Sequence, residues 1–434
     1  MSRAQTWRSD VVASPCPSYY EASRNSDTAY PTLNGEHNAD VCIIGGGFTG
    51  ISTALTLAER GYSVVVLEQN RVGWGASGRN GGQCIGGITG EEALAAHAGP
   101  EYDKLIFELG YRGHEVIEER VARYGIDCDL KHGYMDVALK PRHLKEQREW
   151  YDDLCERGLG EYLELVTRDD MHRFIGSDAY LGALVNRRNM HLHPLNLCLG
   201  EARAATDLGV QIFEGSEVTG IRHGARPVVS TTAGSVSADA VIIGGNAYHT
   251  LEQKKLGGLI FPAGTFIIAT EPLSEAEVAA LLPQDFAVCD QNTVLDYYRL
   301  SADRRMLFGG RCNYTGREPK SIEAVMRPRM LKIFPQLASK RVDFSWGGQI
   351  GIVLNRVPLM GRVEDNVYYA MGYSGHGVNV THAFGEVLAD AVAGDLEKMD
   401  LFERMPHTRL PFSRRISGQI VGFGMLFYRL RDLL

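Results

Sequence analysis

The stretch that decides the fold covers residues 39–68 and reads ADVCIIGGGFTGISTALTLAERGYSVVVLE. A short apolar run at 41–44 is followed by three glycines, an amphipathic segment ending at Gly61, and a second apolar run at 64–67. Apolar runs without polar alternation are typical of parallel strands buried on both faces, and a glycine commonly ends a helix. The pattern therefore predicts a strand, a helix and a second parallel strand, joined by a right-handed crossover.

The glycines between this strand and helix form a dinucleotide-binding motif. Residues 45–50 satisfy G-x-G-x-x-G, and Glu68 stands 23 residues after Gly45, at the end of the second strand. Gly45 permits the tight turn, Gly47 lets the backbone approach a pyrophosphate, and Gly50 lets the helix pack closely on the strand. The helix N-terminus then faces the phosphate charge, and Glu68 accepts hydrogen bonds from ribose hydroxyls.

Two further apolar runs, at 241–245 and 367–372, also end in glycine and predict strands of the same parallel sheet. Between the strands lie segments that contain alternating runs, such as 134–139 and 265–270. A period of two residues is typical of a half-buried antiparallel sheet. The predicted fold is therefore α/β (α+β), with a discontinuous Rossmann-like dinucleotide domain and an inserted, mostly antiparallel substrate-binding sheet domain.

The same pattern gives the predicted domain boundaries. They are an N-terminal arm at 1–36, the dinucleotide domain at 37–125, 186–258 and 345–400, the substrate-binding domain at 126–185 and 259–344, and a C-terminal helical tail at 401–434.

Composition excludes several classes of protein. The chain has 434 residues, of which 44% are hydrophobic and 23% charged, which is typical of a globular protein and not of a disordered one. The formal net charge is -8 and there is no block of Lys and Arg, so we expect no nucleic-acid partner. The histidines and cysteines show none of the zinc-binding spacings, and we expect no metal.

Cysteine usage and hydropathy predict a cytoplasmic protein. The eight cysteines include no Cys-x-x-Cys pair, and residues 1–40 lack the apolar segment of a signal peptide. The uncharged run at 41–58 is long enough to cross a membrane, but its glycines and hydroxyl residues favour a strand, a turn and a helix. The apolar stretch at 416–434 has two interpretations, a helix packed on a domain or a peripheral membrane helix.

The dinucleotide motif fits FAD and NAD equally, and two glycine-rich segments favour FAD. Residues 73–83 contain five glycines in eleven positions and form a loop suited to lie against a flat ring system. Residues 372–378, GYSGHGV, leave the third parallel strand and open an amphipathic helix, whose N-terminus is suited to hold negative charge on a reduced flavin.

Several longer stretches are similar to known FAD enzymes. They are SYYEAS (18–23), GASGRNGGQ (75–83), YGIDCDLKHGYMDVAL (124–139), HLHPLNLCLGEA (191–202), LDYYRLSADRRMLFGG (295–310), IFPQL (333–337) and GYSGHGVNVTH (372–382). The sequence resembles the D-amino-acid oxidase type of FAD-dependent oxidoreductase, and within it the gamma-glutamylputrescine and gamma-glutamylpolyamine oxidases. The resemblance implies bound FAD, oxidation of a terminal amine to an imine that hydrolyses to aldehyde and ammonia, and reoxidation by dioxygen to hydrogen peroxide.

FAD is expected to be bound without a covalent link, because Cys84, just past the glycine-rich loop, is interpreted as a small buried hydrophobe. The predicted cofactor-binding residues come from the motif, the two glycine-rich segments and the strand ends between them. They are Gly45, Gly47, Phe48, Thr49, Gly50, Glu68, Gly75, Ala76, Ser77, Gly78, Arg79, Asn80, Gly81, Gly82, Gln83, Val218, Gly244, Gly245, Gly372, Ser374, Gly375, His376, Gly377 and Val378.

One position departs from the amino-acid oxidases that the sequence resembles. In those enzymes an Arg upstream of a Pro-x-x-Gly segment grips the substrate α-carboxylate, and here the ungapped alignment on residues 358–361 places Ile350 at that position. Losing a bidentate Arg–carboxylate pair removes a strong recognition element. We therefore expect an amine whose carboxylate, if it has one, lies far from the reacting carbon.

The remaining candidates are aromatic residues and a histidine. Aromatic faces receive an alkylammonium by cation–π attraction, and hydride transfer from a neutral amine needs no obligatory base. Predicted catalytic residues are His376, Tyr298 and Tyr373, and predicted substrate-binding residues are Tyr297, Arg299, Trp346 and Ile350. Each of these residues also has a purely structural interpretation. The aromatic residues could pack in the core, His376 could cap a backbone carbonyl, and Arg299 could lie in solvent at the edge of a strand.

Three other functions stay open from the sequence. One is a flavin amine or amino-acid dehydrogenase or oxidase, of the glycine, sarcosine or D-amino-acid type, that passes electrons to a quinone, a carrier protein or dioxygen. Another is a flavin-containing binding protein without turnover, and a more distant one is an NAD-dependent dehydrogenase.

Overall fold

The dinucleotide motif lies at the centre of a parallel sheet in the computed structural model, which describes residues 17–292, 294–313 and 318–409. In these residues the chain forms two sheets and eleven α-helices. The strands are β1 (Gly35–Ile44), β2 (Val64–Leu67), β3 (Gln83–Cys84), β4 (Lys131–Ala138), β5 (Leu163–Thr167), β6 (Gly182–His191), β7 (Gln211–Phe213), β8 (Gly220–Arg222), β9 (Val228–Ser230), β10 (Gly234–Ile243), β11 (Phe261–Thr270), β12 (Ala287–Asp290), β13 (Asp296–Leu300), β14 (Met306–Asn313), β15 (Val342–Ile352), β16 (Leu359–Glu364) and β17 (Val367–Met371).

The helices are α1 (Tyr19–Ala22), α2 (Phe48–Glu59), α3 (Glu91–Ala98), α4 (Asp103–Tyr124), α5 (Pro141–Glu156), α6 (Pro194–Asp207), α7 (Gln253–Leu256), α8 (Glu275–Leu281), α9 (Ile322–Ile333), α10 (Gly377–Val392) and α11 (Glu397–Glu403).

The first sheet has the order β16-β17-β10-β1-β2-β7, with β8 and β9 paired beside β10. Strands β17, β10, β1, β2 and β7 are mutually parallel, and the edge strand β16 is antiparallel. Helices α2, α4, α6 and α10 cover one face of this sheet and build its core with residues of β1, β2 and β17. The two distant strands predicted from 241–245 and 367–372 thus pair on one side of β1, as expected.

The second sheet has the order β15-β11-β14-β13-β12-β4-β6-β3, with β5 paired to β6. Within the described residues its neighbours run antiparallel, apart from the parallel pair β4 and β12. One face packs on α8 and α9 around a second hydrophobic core. The predicted fold class, a Rossmann-like domain with an inserted antiparallel sheet domain, is confirmed.

Two of the predicted domain boundaries fall inside strands of the second sheet. The boundary at 185/186 cuts β6 and the one at 344/345 cuts β15. Of the predicted arm, residues 17–34 lie on the body, with Tyr20 and Leu33 fully buried. The tail interpretations at 416–434 fall outside the described residues, and no helix within those residues is long and apolar enough to span a membrane.

Candidate active site

A deep cleft opens at the carboxyl ends of the parallel strands. In the sheet, β2 lies on one side of β1 and β10 on the other, so the strand order reverses its direction at β1. Open α/β sheets bind ligands at the carboxyl ends of the strands where the order reverses. The cleft holds about 1280 Å³ of space between atoms, including the part open to solvent. Its walls come from the dinucleotide motif, the glycine-rich loop at 73–83, the end of β10, and the loop that opens α10.

Glycines at the motif are required by close backbone approaches. A Cβ on Gly50 would stand 1.9 Å from the Gly45 carbonyl oxygen, and one on Gly45, whose φ is +114°, would stand 3.1 Å from Gly244. A Cβ on Gly47 would stand 2.9 Å from the hydroxyl of Ser77. Gly45 and Gly47 line the cleft, and Gly50 lets α2 pack closely on β1 behind it. The backbone at 45–50 therefore forms a cradle of the kind that dinucleotide binding requires.

Glu68 follows β2 and lines the cleft beside this cradle. Its carboxylate accepts hydrogen bonds from the Gly46 amide at 2.6 Å and from the Asn70 amide at 2.8 Å. Burial raises the pKa of Glu68, and the two amides act in the opposite direction. These bonds fix the carboxylate at the end of β2, the position from which an acidic residue receives ribose hydroxyls.

Two helix N-termini point into the same cleft. Neither α2, which starts after Gly47, nor α10, which starts after His376, has a side-chain hydrogen bond at its N-cap. The Phe48 amide donates to the hydroxyl of Ser77 at 2.8 Å, which joins α2 to the glycine-rich loop. Uncapped N-termini attract anionic groups, so the cleft suits a pyrophosphate and negative charge on a reduced ring.

Most of the predicted cofactor-binding residues line this cleft. They are Gly45, Gly47, Phe48, Thr49, Glu68, Gly75, Ala76, Ser77, Asn80, Val218, Gly244, Gly245, Ser374, Gly375, Gly377 and Val378. The others are not among the residues that line it: Gly50, Gly78, Arg79, Gly81, Gly82, Gln83, Gly372 and His376.

Arg299 holds the glycine-rich loop from behind, and the prediction that it binds the substrate is wrong. Its guanidinium donates to the carbonyls of Gly81 at 2.9 Å, Leu192 at 2.6 Å and Leu300 at 2.9 Å, and to the Tyr20 hydroxyl at 3.2 Å. The residue is 1% exposed. With its donors used on the backbone and the arm, it cannot grip a carboxylate in the cleft.

We expect Arg299→Met to lower stability by about 2 kcal/mol and to weaken flavin retention, because buried carbonyls lose their donors. The measurement is the thermal midpoint together with the flavin-to-protein absorbance ratio. Arg304→Met, on an exposed turn of the same hairpin, is the control. An unchanged thermal midpoint together with a raised KM for the amine would instead indicate that Arg299 binds the substrate.

Tyr298 does not reach the cleft, and its predicted catalytic role is wrong. Its ring is 1% exposed, stacks on Phe308 and meets Phe334 edge to face, and its hydroxyl donates to Tyr180 at 3.0 Å. Successive side chains of a strand point to opposite faces, so Tyr298 enters the helix-covered core while Tyr297 faces the dinucleotide domain. Tyr297 lies against Gly81 and Gly309, where an added Cβ would stand within 2.5 Å of its ring.

Tyr373 and Ile350 line the cleft, whereas Trp346 does not. The Tyr373 hydroxyl pairs with the Thr49 hydroxyl at 2.8 Å, which links the α10 loop to the dinucleotide motif. Trp346 is 2% exposed, donates to the Arg79 carbonyl at 3.1 Å and packs against Tyr20 of the arm. Trp346 therefore stabilises the junction of sheet and arm and does not contact the cleft.

His376 lies at the N-terminus of α10 and is half-buried. Burial lowers the pKa of its imidazole to about 4. The ring is therefore neutral at pH 7, and the interpretation that it supplies positive charge for dioxygen reduction is not supported. Its backbone amide donates to the Tyr373 carbonyl at 2.9 Å, which closes the turn.

Sequence reasoning missed Asn246, which follows the two glycines at the end of β10. Its side-chain oxygen accepts from the Gly372 amide at 2.9 Å, and its φ is +44°. The residue therefore joins the ends of β10 and β17 at the cleft. A polar residue directly after a buried parallel strand was the available signal. Other lining residues outside the predicted set are Ile44, Leu67, Gln69, Asn70, Trp74, Ser216, Glu217, Ile243, Tyr248, His249, Thr250, Leu251, Gly351 and Thr381.

The parallel sheet with its cradle, the uncapped helices and the second sheet together define an oxidoreductase that binds a flavin dinucleotide. The family model described as "DAO: FAD dependent oxidoreductase" matches residues 40–391, and the chain belongs to this family. FAD is therefore its cofactor, and the cradle at residues 45–50 and the Glu68 carboxylate fit it.

Relatives and solved structures agree with this assignment. The chain is 42% identical over 422 residues to the gamma-glutamylputrescine oxidoreductase of Escherichia coli strain K12, covering 96% of this chain and 98% of that protein. Glycine oxidase from Geobacillus kaustophilus has a TM-score of 0.70 at 22% identity, covering 87% of this chain and 100% of that one. L-proline dehydrogenase from P. horikoshii has a TM-score of 0.70 at 20% identity, covering 90% and 99%.

Proposed function

We propose that this FAD-dependent oxidoreductase oxidises the primary amine of gamma-glutamylputrescine or a related gamma-glutamylated polyamine. The products are an aldehyde, ammonia and hydrogen peroxide, as in polyamine catabolism. The relative that is 42% identical over nearly the whole chain carries this substrate in its name.

The observation that carries the proposal is the apolar character of the cleft at Ile350. Ile350 lines the cleft beside Gly351 and Gly375, and among the described lining residues there is no Arg or Lys. An α-carboxylate next to the reacting carbon would lose its water there without a cationic partner, which is costly. An amine on an alkyl chain carries no such group near the ring.

The residues of the chain act mainly by positioning and desolvating the amine, and less by transferring a proton. FAD, when bound, would accept a hydride from the carbon that bears the amine, and water would hydrolyse the resulting imine to the aldehyde and ammonia. Tyr373 and Ile350 form low-polarity walls that favour the neutral amine, the form able to release hydride. Burial lowers the pKa of His376 to about 4, so its neutral imidazole is a weak base, and the Tyr373 hydroxyl is hydrogen-bonded to Thr49.

The direct test is anaerobic flavin bleaching by gamma-glutamylputrescine, putrescine, glycine, sarcosine and D-alanine, followed by air and a peroxide assay. Rapid bleaching by the gamma-glutamyl amine, with peroxide formed on reoxidation, is the expected result. Bleaching by a free amino acid alone would overturn the proposal. Bleaching by no compound would favour a binding protein without turnover.

A dehydrogenase is the second candidate, because the same fold occurs in a protein named L-proline dehydrogenase. In that case the reduced flavin reacts slowly with dioxygen and rapidly with a quinone. The peroxide yield of the same experiment decides between the two, since an oxidase gives one peroxide for each amine consumed.

Ile350→Arg is expected to restore a carboxylate clamp in the cleft. We expect at least about 10-fold tighter binding of glycine or sarcosine, and weaker binding of the gamma-glutamyl amine, because a bidentate pair outweighs the added desolvation. Titration of the flavin spectrum with each amino acid gives the affinities. Gln349→Arg, on the opposite face of β15, is the matched control and should leave them unchanged.

A further inference from the structure

Two loops from opposite sides of the dinucleotide motif meet through aromatic rings. Trp74 belongs to the glycine-rich loop that follows β2, and Tyr248 ends the short turn Asn246–Tyr248 that follows β10. Strand β1, which leads into the motif at 45–50, lies between β2 and β10 in the sheet. The Trp74 and Tyr248 rings nevertheless meet edge to face, with 5.4 Å between their centroids. This pair, the aromatic bridge, therefore joins the two loops across the motif.

The aromatic bridge faces the same cavity as the motif. Trp74 and Tyr248 both line the cleft, together with Gly45 and Gly47 of the cradle. The Tyr248 ring also covers Gly75 of the glycine-rich loop, where an added Cβ would stand 3.2 Å from its Cε2 atom. Backbone thus forms one side of the cavity at the cradle, and the two rings form another.

The segments that carry the two rings are anchored at their bases. Arg79 is 5% exposed, places its guanidinium carbon 4.3 Å from the Trp74 ring centroid, and donates to the Trp74 carbonyl at 2.7 Å. Asn246 fixes the start of the other turn, since its side chain accepts from the Gly372 amide at 2.9 Å. A single edge-to-face ring pair is a modest interaction. Rotation of the Tyr248 side chain therefore opens the aromatic bridge while these anchors hold.

A bound dinucleotide has to pass the aromatic bridge. Its pyrophosphate belongs at the N-terminus of α2, directly after β1, and Glu68, after β2, suits the ribose. The glycine-rich segment that opens α10 follows β17, which lies beyond β10 in the sheet. FAD that extends from Glu68 to this segment crosses the end of β1, which is where the aromatic bridge joins the two loops.

We propose that the aromatic bridge of Trp74 and Tyr248 is a gate over the FAD pyrophosphate that sets how fast the cofactor enters and leaves. The contact joins two protein side chains and must break before entry and before release, so it slows both steps and leaves the affinity for FAD nearly unchanged. The aromatic bridge acts on the cofactor alone, and its role holds whichever amine the enzyme oxidises.

Exchange of FAD in the holoenzyme tests this gate. The holoenzyme is mixed with excess isotopically labelled FAD, and the label gained by the protein over time gives the dissociation rate constant. Dilution to equilibrium gives Kd, and the association rate constant follows from the ratio. Tyr248→Leu is expected to raise both rate constants about 10-fold and to change Kd by less than about threefold, because each direction loses the same ring contact from its barrier.

Trp74→Leu removes the other half of the contact and should raise both rate constants in the same way. The double variant should exchange FAD no faster than either single variant, since all three lack the same interaction. Tyr248→Phe keeps a ring at this position and should exchange FAD at the wild-type rate. Trp150→Leu is the matched control, because Trp150 is 46% exposed on α5 and does not line the cleft.

Three results would overturn the gate. A raised dissociation rate constant with an unchanged association rate constant would show that Tyr248 holds FAD directly. Unchanged exchange in both single variants would show that the rings do not limit entry or release, and additive increases in the double variant would show that they do not act as one contact. The two single variants are independent, so either one decides if the other does not fold.

Discussion

Replacing Gly50 with alanine is expected to yield a colourless protein. The added Cβ would stand 1.9 Å from the Gly45 carbonyl oxygen and 3.2 Å from the Ile43 side chain, and neither group is the free end of a flexible chain. Helix α2 must therefore move away from β1, at a cost of about 3 kcal/mol. That movement takes the α2 amides away from the pyrophosphate position.

The expected loss of FAD affinity is about 100-fold or more, because a displaced helix N-terminus loses both its amide contacts and its dipole alignment. The flavin-to-protein absorbance ratio after purification and a titration of apoprotein with FAD measure it. Gly220→Ala is the control in the same sheet, since an added Cβ there has no atom within 4 Å. A yellow Gly50→Ala protein of full flavin content would contradict the derived role of the cradle.

The dinucleotide-binding half of the site could be predicted because its motifs are short, continuous stretches of sequence. The motif at 45–50, the glycine-rich loop and the glycine-ended strands each place backbone at a strand end, and parallel strand ends meet at one edge of a sheet. The structure brings these segments into one cleft. Residues such as Asn246 were missed because a single polar residue after a strand is a weak signal.

The substrate-binding half of the site was harder to predict because it depends on which face of a strand each side chain occupies. Tyr297 and Tyr298 are adjacent, and a shift of one residue decides which of them faces the flavin domain and which enters the core. The sequence shows two tyrosines but not the face that α9 covers. Arg299 and Trp346 were misassigned for a related reason, since the N-terminal arm that buries them comes from residues far away in the chain.

A second large effect is expected at a buried charge network beneath the cleft. Glu201 of α6 pairs with Arg120 of α4 at 2.9 Å and with His382 of α10 at 3.1 Å, and both Glu201 and His382 are fully buried. Arg120 also donates to the hydroxyls of Ser52 and Thr56 in α2, each at 2.8 Å. The network therefore joins the two helices whose N-termini enter the cleft to the two that support them.

Glu201→Gln is expected to lower the free energy of unfolding at pH 7 by about 3 kcal/mol, because it leaves the buried Arg120 with only the more distant Glu59, at 4.0 Å, as a counter-charge. Urea unfolding followed by circular dichroism measures this loss. Arg120→Met combined with Glu201→Gln should recover much of it. Glu386→Gln, which breaks a partly exposed pair with Arg112 on the surface of α10, should cost no more than about 1 kcal/mol.

The same pair has a pH signature with a definite sign. Burial alone would raise the pKa of Glu201, but His382 and Arg120 together lower it below the ordinary value of 4.5. A carboxyl with a lowered pKa in the folded state stabilises the protein above its unfolded value and loses that contribution as the pH falls through the folded value. The gap in unfolding free energy between wild type and Glu201→Gln should therefore be largest at pH 7 and shrink below about pH 4.5. A gap that stays constant down to pH 3 would show that shape, and not charge, is what Glu201 contributes, and the helices at the cleft would then be held by packing alone.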